Sequence, residues 1–199
     1  MAVHRDVQQH PLWETLRTYV RELAFLDGQH DEAFTLASGK TSRWFFDTKP
    51  VMMHPEAGQI IGTLINLRAE QIEAKYVGGL ELGAVPLAAL VIATANTHSS
   101  LRGFMVRKEP KGRGGRKTNN PPGFEGASMS NPGTIILVED VTTTGGSALK
   151  AIERIHEETA CTVELVISIL DREEGAEAAF MEAGIPFESL LLRSHITEN

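Results

Sequence analysis

The segment Thr134-Ile-Ile-Leu-Val-Glu-Asp-Val-Thr-Thr-Thr-Gly-Gly-Ser147 constrains this chain more than any other. Ile135 to Val138 is a short, largely β-branched apolar run, which favours a strand buried on both faces, as in a parallel sheet. Gly145 and Gly146 permit a tight turn, and Ser147-Ala148-Leu149-Lys150 opens a helical pattern. The order is therefore strand, turn, helix. Backbone N–H groups at such a helix start, with the hydroxyls of Thr142, Thr143, Thr144 and Ser147, make a seat for a phosphate dianion. Glu139 and Asp140 would repel that phosphate, but they can accept hydrogen bonds from neighbouring hydroxyls such as those of a ribose. The segment thus suits ribose 5-phosphate. The plainer alternative is a strand–loop–helix in which Asp and Thr serve only as caps.

The rest of the chain narrows the class. Its 199 residues, 42% hydrophobic and 23% charged, are those of a soluble globular domain. The apolar runs are too short for a membrane span, and the N-terminus lacks an apolar signal core, so a cytoplasmic location is expected. A single cysteine, Cys161, allows no internal disulfide, and the scattered histidines have no metal-ligand spacing. The net charge of −7 argues against a general nucleic-acid binder. Yet seven of the 19 basic residues fall between Arg102 and Lys117, among glycines and Pro110 that disfavour a helix. This is a cationic loop in an acidic protein, suited to a compact polyanion. It is not a Walker A loop, because Arg116 stands where the second glycine belongs.

Helical spacing predicts an N-terminal amphipathic helix through Leu12, Leu16, Tyr19, Val20 and Leu23, a second from Pro55 to about Gln71, and an apolar third from Pro86 to Ala95. Phe34 to Asp47 reads as two short β stretches around a Ser-Gly-Lys turn, a hairpin or hood. Strands are expected at Tyr76–Gly78, Phe104–Val106, Val163–Leu170 and Phe187–Leu192, with a last helix over about Ala176 to Ala183. Thr118 to Pro132 reads as mobile and irregular. Alternating β and α units predict an α/β fold, a doubly wound, mainly parallel sheet with a small N-terminal hood. One domain is expected: hood over about residues 1–50, core over about 51–199, and a mobile loop at 107–132. Ligands of such sheets collect at the strands' carboxyl ends, which would gather the 79–84 loop, the cationic loop, the Glu139–Ser147 segment and Asp171-Arg172 on one rim.

With those segments placed, the chain resembles the orotate phosphoribosyltransferases, a family with the type I phosphoribosyltransferase fold. Phe34-Thr-Leu-Ala-Ser-Gly-Lys40, Arg107-Lys-Glu-Pro-Lys111, Val138 to Ser147 and Asp171-Arg172 appear in the family's order. The resemblance implies magnesium-dependent transfer of 5-phosphoribosyl from phosphoribosyl diphosphate (PRPP) to orotate, giving orotidine 5′-phosphate and diphosphate in pyrimidine synthesis. It implies Lys111, Lys108 and Asp140 as catalytic residues. PRPP contacts would come from Arg107, Lys108, Lys111, Arg113, the run Glu139, Asp140, Val141, Thr142, Thr143, Thr144, Gly145, Gly146 and Ser147, and the loop Glu81, Leu82 and Gly83. Orotate contacts would come from Thr143, Arg172, Phe45, Phe46 and Lys40, although one of the two phenylalanines can instead be core. Magnesium would be held mainly by PRPP, near Glu139 and Asp140. The loop lysine of the family reaches a neighbouring subunit, which implies a homodimer with shared sites.

Three positions depart from the family pattern. Ala37 stands where many members carry lysine, Gly83 where some do, and Arg113 where histidine is common. For Arg172 the spacing alone also allows a plain ion pair with Asp171 or Glu174. Two other functions share parts of the pattern: a phosphoribosyltransferase for another base, which has no need of Arg107–Lys111 or Asp171-Arg172, and a non-catalytic PRPP-sensing regulator, which would need a broader basic face.

Overall fold

The β-branched apolar runs become adjacent strands. The computed structural model describes residues 4–28, 34–35, 41–110 and 118–198. In chain order the elements are α1 (Arg5–Gln8), α2 (Leu12–Leu23), β1 (Phe25–Asp27), β2 (Phe34–Thr35), β3 (Thr41–Ser42), β4 (Trp44–Phe46), α3 (Lys49–Met52), α4 (Pro55–Gln71), β5 (Tyr76–Gly78), α5 (Ala84–Thr94) and β6 (Arg102–Val106). There follow β7 (Phe124–Gly126), β8 (Thr134–Thr142), α6 (Gly146–Glu158), β9 (Thr162–Asp171), α7 (Ala176–Glu182), β10 (Phe187–Leu192) and α8 (Ser194–Thr197).

Six strands form the main sheet in the order β10-β9-β8-β5-β6-β7. All its pairs are parallel except β6 with β7. The sheet is buried from both sides, which is why Ile135, Ile136, Leu137 and Val138 are fully enclosed although they alternate in direction. Ile136 and Val138 join the core under α4 and α5; Ile135 and Leu137 join the core under α6. The helix α4 starts at Pro55, whose missing N–H costs nothing there, and His54 Nδ1 accepts the N–H of Ala57 as a cap. Among the described residues no helix is long and apolar enough to cross a membrane.

Four expectations change. First, β8 does not stop at Val138. It continues beside β9, pairing Val141 with Leu170 and Thr142 with Asp171, so Glu139 and Asp140 stand on a strand and not in a loop. Secondly, the apolar helix starts at Ala84, and Pro86 is accommodated within its first turn. Thirdly, residues 118–132 are not irregular throughout: Phe124 is buried, β7 pairs with β6, and Asn120 bonds the backbone of Ala127 and Met129. Fourthly, the hood has two ladders, β2 with β3 and β1 with β4, where one hairpin was expected.

Candidate active site

The strand order reverses between β5 and β8: the chain leaves β5 towards β6 on one side and β8 towards β9 on the other. Such a switch point opens a crevice beyond the strands' carboxyl ends. The 79–84 loop and the Glu139–Ser147 segment face each other across it. Gly83 lies so close to Asp140 that a Cβ there would fall 2.4 Å from the carboxyl group. A lysine at this position would have to displace Asp140, which gives the Gly83 departure a steric reason. The Glu81 N–H is committed to the Val106 carbonyl, while Glu81 Oε1 accepts the N–H of Lys108. Glu81 therefore fastens the cationic loop's stem, a correction to its expected part in seating diphosphate through its own N–H.

The phosphate seat is the start of α6. Gly145 adopts a left-handed φ of 77°, and a Cβ there would lie 3.0 Å from the Phe180 ring, so both conformation and packing call for glycine. No side chain caps this helix, and its first turn holds no acidic residue. Its leading N–H groups are thus left to a ligand, and the helix dipole favours an anion. A cavity of about 60 Å³ opens there, lined by Glu139 and residues 141–148. The Thr142 hydroxyl is buried without a partner among the described residues, whereas Thr143 is half-buried and Thr144, Gly146 and Ser147 are exposed. The Val141 side chain packs on the core beside α4 and α5, which leaves its backbone for the site.

The two carboxylates diverge because they are consecutive on a strand. Asp140 meets Gly83 and accepts the N–H of Val141, whereas Glu139 faces the α6 side and is 8% exposed. Burial, reinforced by the Asp140 charge and opposed by Lys108, pushes the Glu139 carboxyl up to about 8. Lys108 thus lies near enough to Glu139 for its charge to act there.

Arg172 follows β9 and is 6% exposed. Its N–H donates to the Thr142 carbonyl, which ties it to the phosphate segment. Its guanidinium pairs with Glu174 at 2.8 Å, not with Asp171, and donates to Ser42 Oγ at 3.2 Å. Its Nε is buried with no partner among the described residues. A guanidinium with an unspent, solvent-shielded donor is suited to a planar, carbonyl-rich anion. Ser42 escaped sequence reading, since nothing in a Thr-Ser-Arg string marks a hydroxyl that meets an arginine 130 residues away.

Phe46 is a correction. It is buried and stacks on Phe25 at 5.2 Å within the core, so it does not face a ligand. Phe45 points the other way and packs against Phe34 on the hairpin. Arg107 differs too: it pairs with Glu125 on β7 at 2.9 Å, and its carbonyl accepts from Arg154. As it stands, Arg107 is not aimed at the crevice. Lys40, Lys111 and Arg113, with Ala37, lie outside the described residues.

With this geometry in view, similarity to known proteins is informative. No protein-family model matches the chain. An orotate phosphoribosyltransferase of Rhodopseudomonas palustris is 42% identical over 179 residues, covering 88% of this chain and 90% of that protein. The crystal structure of the Mycobacterium tuberculosis orotate phosphoribosyltransferase with Fe(III) dicitrate superposes with a TM-score of 0.78 at 28% identity, covering 94% of this chain and 99% of that one. The same enzyme in complex with PRPP gives a TM-score of 0.74 at 27% identity, over the same shares of the two chains. Identity at this level along nearly the whole length, joined to a shared parallel-sheet fold, places the chain in the orotate phosphoribosyltransferase family.

Proposed function

We propose that this rim transfers 5-phosphoribosyl from PRPP to a ring nitrogen of orotate, giving orotidine 5′-phosphate and diphosphate for pyrimidine synthesis. The observation that carries the reading is the buried Arg172, with its unspent Nε, joined through Thr142 to an uncapped helix start. One end suits an anionic pyrimidine and the other a ribose phosphate. A purine enzyme would use the second without the first, and a regulator would have no need to shield an arginine.

The C1–O bond of the ribose breaks as a C1–N bond to orotate forms, and the proton of the ring nitrogen passes to the departing diphosphate or to solvent. Positive charge grows on the sugar and negative charge on departing diphosphate. Catalysis of such a step asks for fixed geometry and a cationic clamp more than for a nucleophile. Asp140 and Glu139 hold the ribose and face its developing cation; the α6 start holds the 5-phosphate. Lys108 and Lys111, with Arg107 once released from Glu125, and Arg113 clamp the leaving group. No group of three or more His, Cys, Asp or Glu among the described residues could cage a metal ion. Magnesium, which the resemblance implies, would be held mainly by PRPP oxygens near Asp140 and Glu139. When bound it neutralises charge on the diphosphate. Closure of the cationic loop excludes water, the competing acceptor.

The direct test is loss of orotate absorbance on adding PRPP and Mg²⁺, with adenine, hypoxanthine and uracil as control acceptors. Turnover of a purine in place of orotate would move the protein to the other transferases. No turnover with any acceptor, together with PRPP binding, would favour the regulator.

The assembly is a homodimer in which each cationic loop serves the partner's site. Mixing inactive Lys111→Ala and Asp140→Asn chains should then restore up to about a quarter of wild-type activity, since half the dimers are mixed and each has one intact site. Complete subunit exchange, followed with mass-tagged chains, without recovery would place the loop in its own subunit's site.

A further inference from the structure

Directly below the phosphate seat, the sheet replaces an apolar row with a polar one. Leu137, Val166 and Phe187 stand in register on β8, β9 and β10 and pack beneath α6 and α7. Two residues further along, the same positions are Glu139, Ser168 and Ser189. Paired residues of neighbouring parallel strands project to the same face, about 5 Å apart. Their exposures are 8%, 0% and 1%.

A buried polar atom costs free energy unless it is bonded. Among the described residues, Ser168 Oγ and Glu139 Oε1 are both closed to solvent and both without a partner. One can donate and the other can only accept when ionised. Glu139 also lines the cavity at the α6 start, yet Oε1 is shut away from it. A ribose hydroxyl entering that cavity meets the outer side of the carboxylate, not Oε1. The inner oxygen is left to the protein interior, and its neighbour in register is a hydroxyl that has no partner among the described residues.

We propose that Ser168 is a positioning residue for Glu139: its hydroxyl donates to the inner oxygen Oε1, directly or through one buried water, and so presents the outer oxygen to the ribose of PRPP. This rests on the reading of Glu139 as a ribose-holding carboxylate. Ser168 touches no substrate; it fixes the carboxylate's rotation about its terminal bond. Sequence gives no hint of it, because Ser168 interrupts a run of Val, Ile and Leu where a small residue needs no functional reason.

The test is a double-mutant cycle on PRPP binding by titration calorimetry, with kcat and a thermal melt for each chain. Ser168→Ala should leave the melt within a few degrees but raise the PRPP Kd by up to about tenfold, the range for a single buried hydrogen bond. Ser168→Thr keeps the hydroxyl and should recover most of that affinity. In the Glu139→Ala background, Ser168→Ala should change nothing further. If Ser168→Ala does not fold, Ser168→Cys replaces it, and its weak donor should give an intermediate loss. Wild-type affinity in Ser168→Ala, or an equal loss with Glu139 already removed, overturns the proposal while leaving the ribose reading intact. Wild-type affinity in Glu139→Ala overturns the ribose reading itself, and this inference with it.

Discussion

The phosphate segment and the cationic arm are both parts of one rim, but they are held in opposite ways. The Glu139–Ser147 segment grows out of β8, a central strand flanked by β5 and β9, and runs into α6, whose Ala148, Ala151, Ile152 and Ile155 are buried. The arm from Arg107 to Gly126 leaves β6 and returns as β7, an edge strand held by three residue pairs. Its stem is fastened by polar contacts: Lys108 N–H to Glu81, Arg107 to Glu125, and Arg154 to the Arg107 carbonyl. The difference follows the work each does. In the proposed reaction the 5-phosphate keeps its charge and the ribose must be held in place while its cation develops, so a rigid seat serves both, whereas the diphosphate gains charge only as the bond breaks and needs groups that can close on it. Polar fastenings at partly exposed positions are cheap to break; a strand in mid-sheet is not.

The largest effect should come from the arm's own charge. Lys111→Ala should lower kcat by about 10²-fold or more with a smaller change in the PRPP KM, because its partner charge develops towards the transition state. Steady-state kinetics with PRPP varied would show it. A variant that keeps most of its kcat would mean that the arm only guides binding, and the contrast between seat and clamp would fail.

On the rigid side, Gly145→Ala forces a Cβ onto a φ of 77° and against Phe180 at 3.0 Å. The strain of a left-handed alanine is about 1–2 kcal/mol, so PRPP affinity should fall by roughly tenfold and the melt by a few degrees. Calorimetry and a melt on the same sample measure both. An alanine variant with wild-type values would show that the α6 start is not built as tightly as its packing indicates.

How much of this was legible in the sequence depended on whether the cause was local. The runs Tyr76–Gly78 and Phe187–Leu192 and the helix from Pro55 to about Gln71 were readable, because apolar spacing and a proline at a helix start are local signals. The gathering of four loops on one rim followed from alternating β and α units. What stayed hidden was decided by partners far along the chain. The extension of β8 through Thr142 depends on β9 continuing to Asp171, and this alone sends Glu139 and Asp140 to opposite faces. Phe46 in the core, Ser42 on Arg172 and Glu125 on Arg107 are likewise contacts between distant segments. The Asn- and Pro-rich stretch before β7 looked irregular because one buried asparagine, bonding the backbone at two points, does the ordering that apolar spacing does elsewhere.

A third prediction tests how enclosed the rigid side is. Glu139 has its folded-state pKa raised from 4.5 to about 8 by burial, so below pH 4.5 the folded and unfolded chains both hold the proton. Between those values the folded chain holds it and the unfolded chain does not. Stability is therefore lost as pH rises through this window. Glu139→Gln removes the titration, so its melt should match wild type near pH 4.5 and exceed it increasingly up to pH 8, by several degrees for a difference of a few kcal/mol. Melts of the ligand-free protein across pH 4.5–9 would decide it. A gap that does not widen with pH would mean that solvent reaches the carboxylate and that the seat is looser than its burial implies.

The smallest effect should come from the arm's fastening. Arg107 and Glu125 are each about one-third exposed, and a pair of that kind contributes about 0–1 kcal/mol. In the structure this pair holds Arg107 on β7, so it competes with any use of Arg107 on diphosphate. Glu125→Gln keeps the shape of the strand and removes the competing charge. The PRPP KM should therefore fall, by no more than about threefold, while kcat and the melt stay near wild type. The direction carries the meaning. A lower KM says that Arg107 is released to the substrate when the pair breaks, as a closing clamp requires. A higher KM says that the pair pre-sets the arm for binding, so the arm would be organised as the seat is, and the two halves of the rim would differ in placement but not in kind.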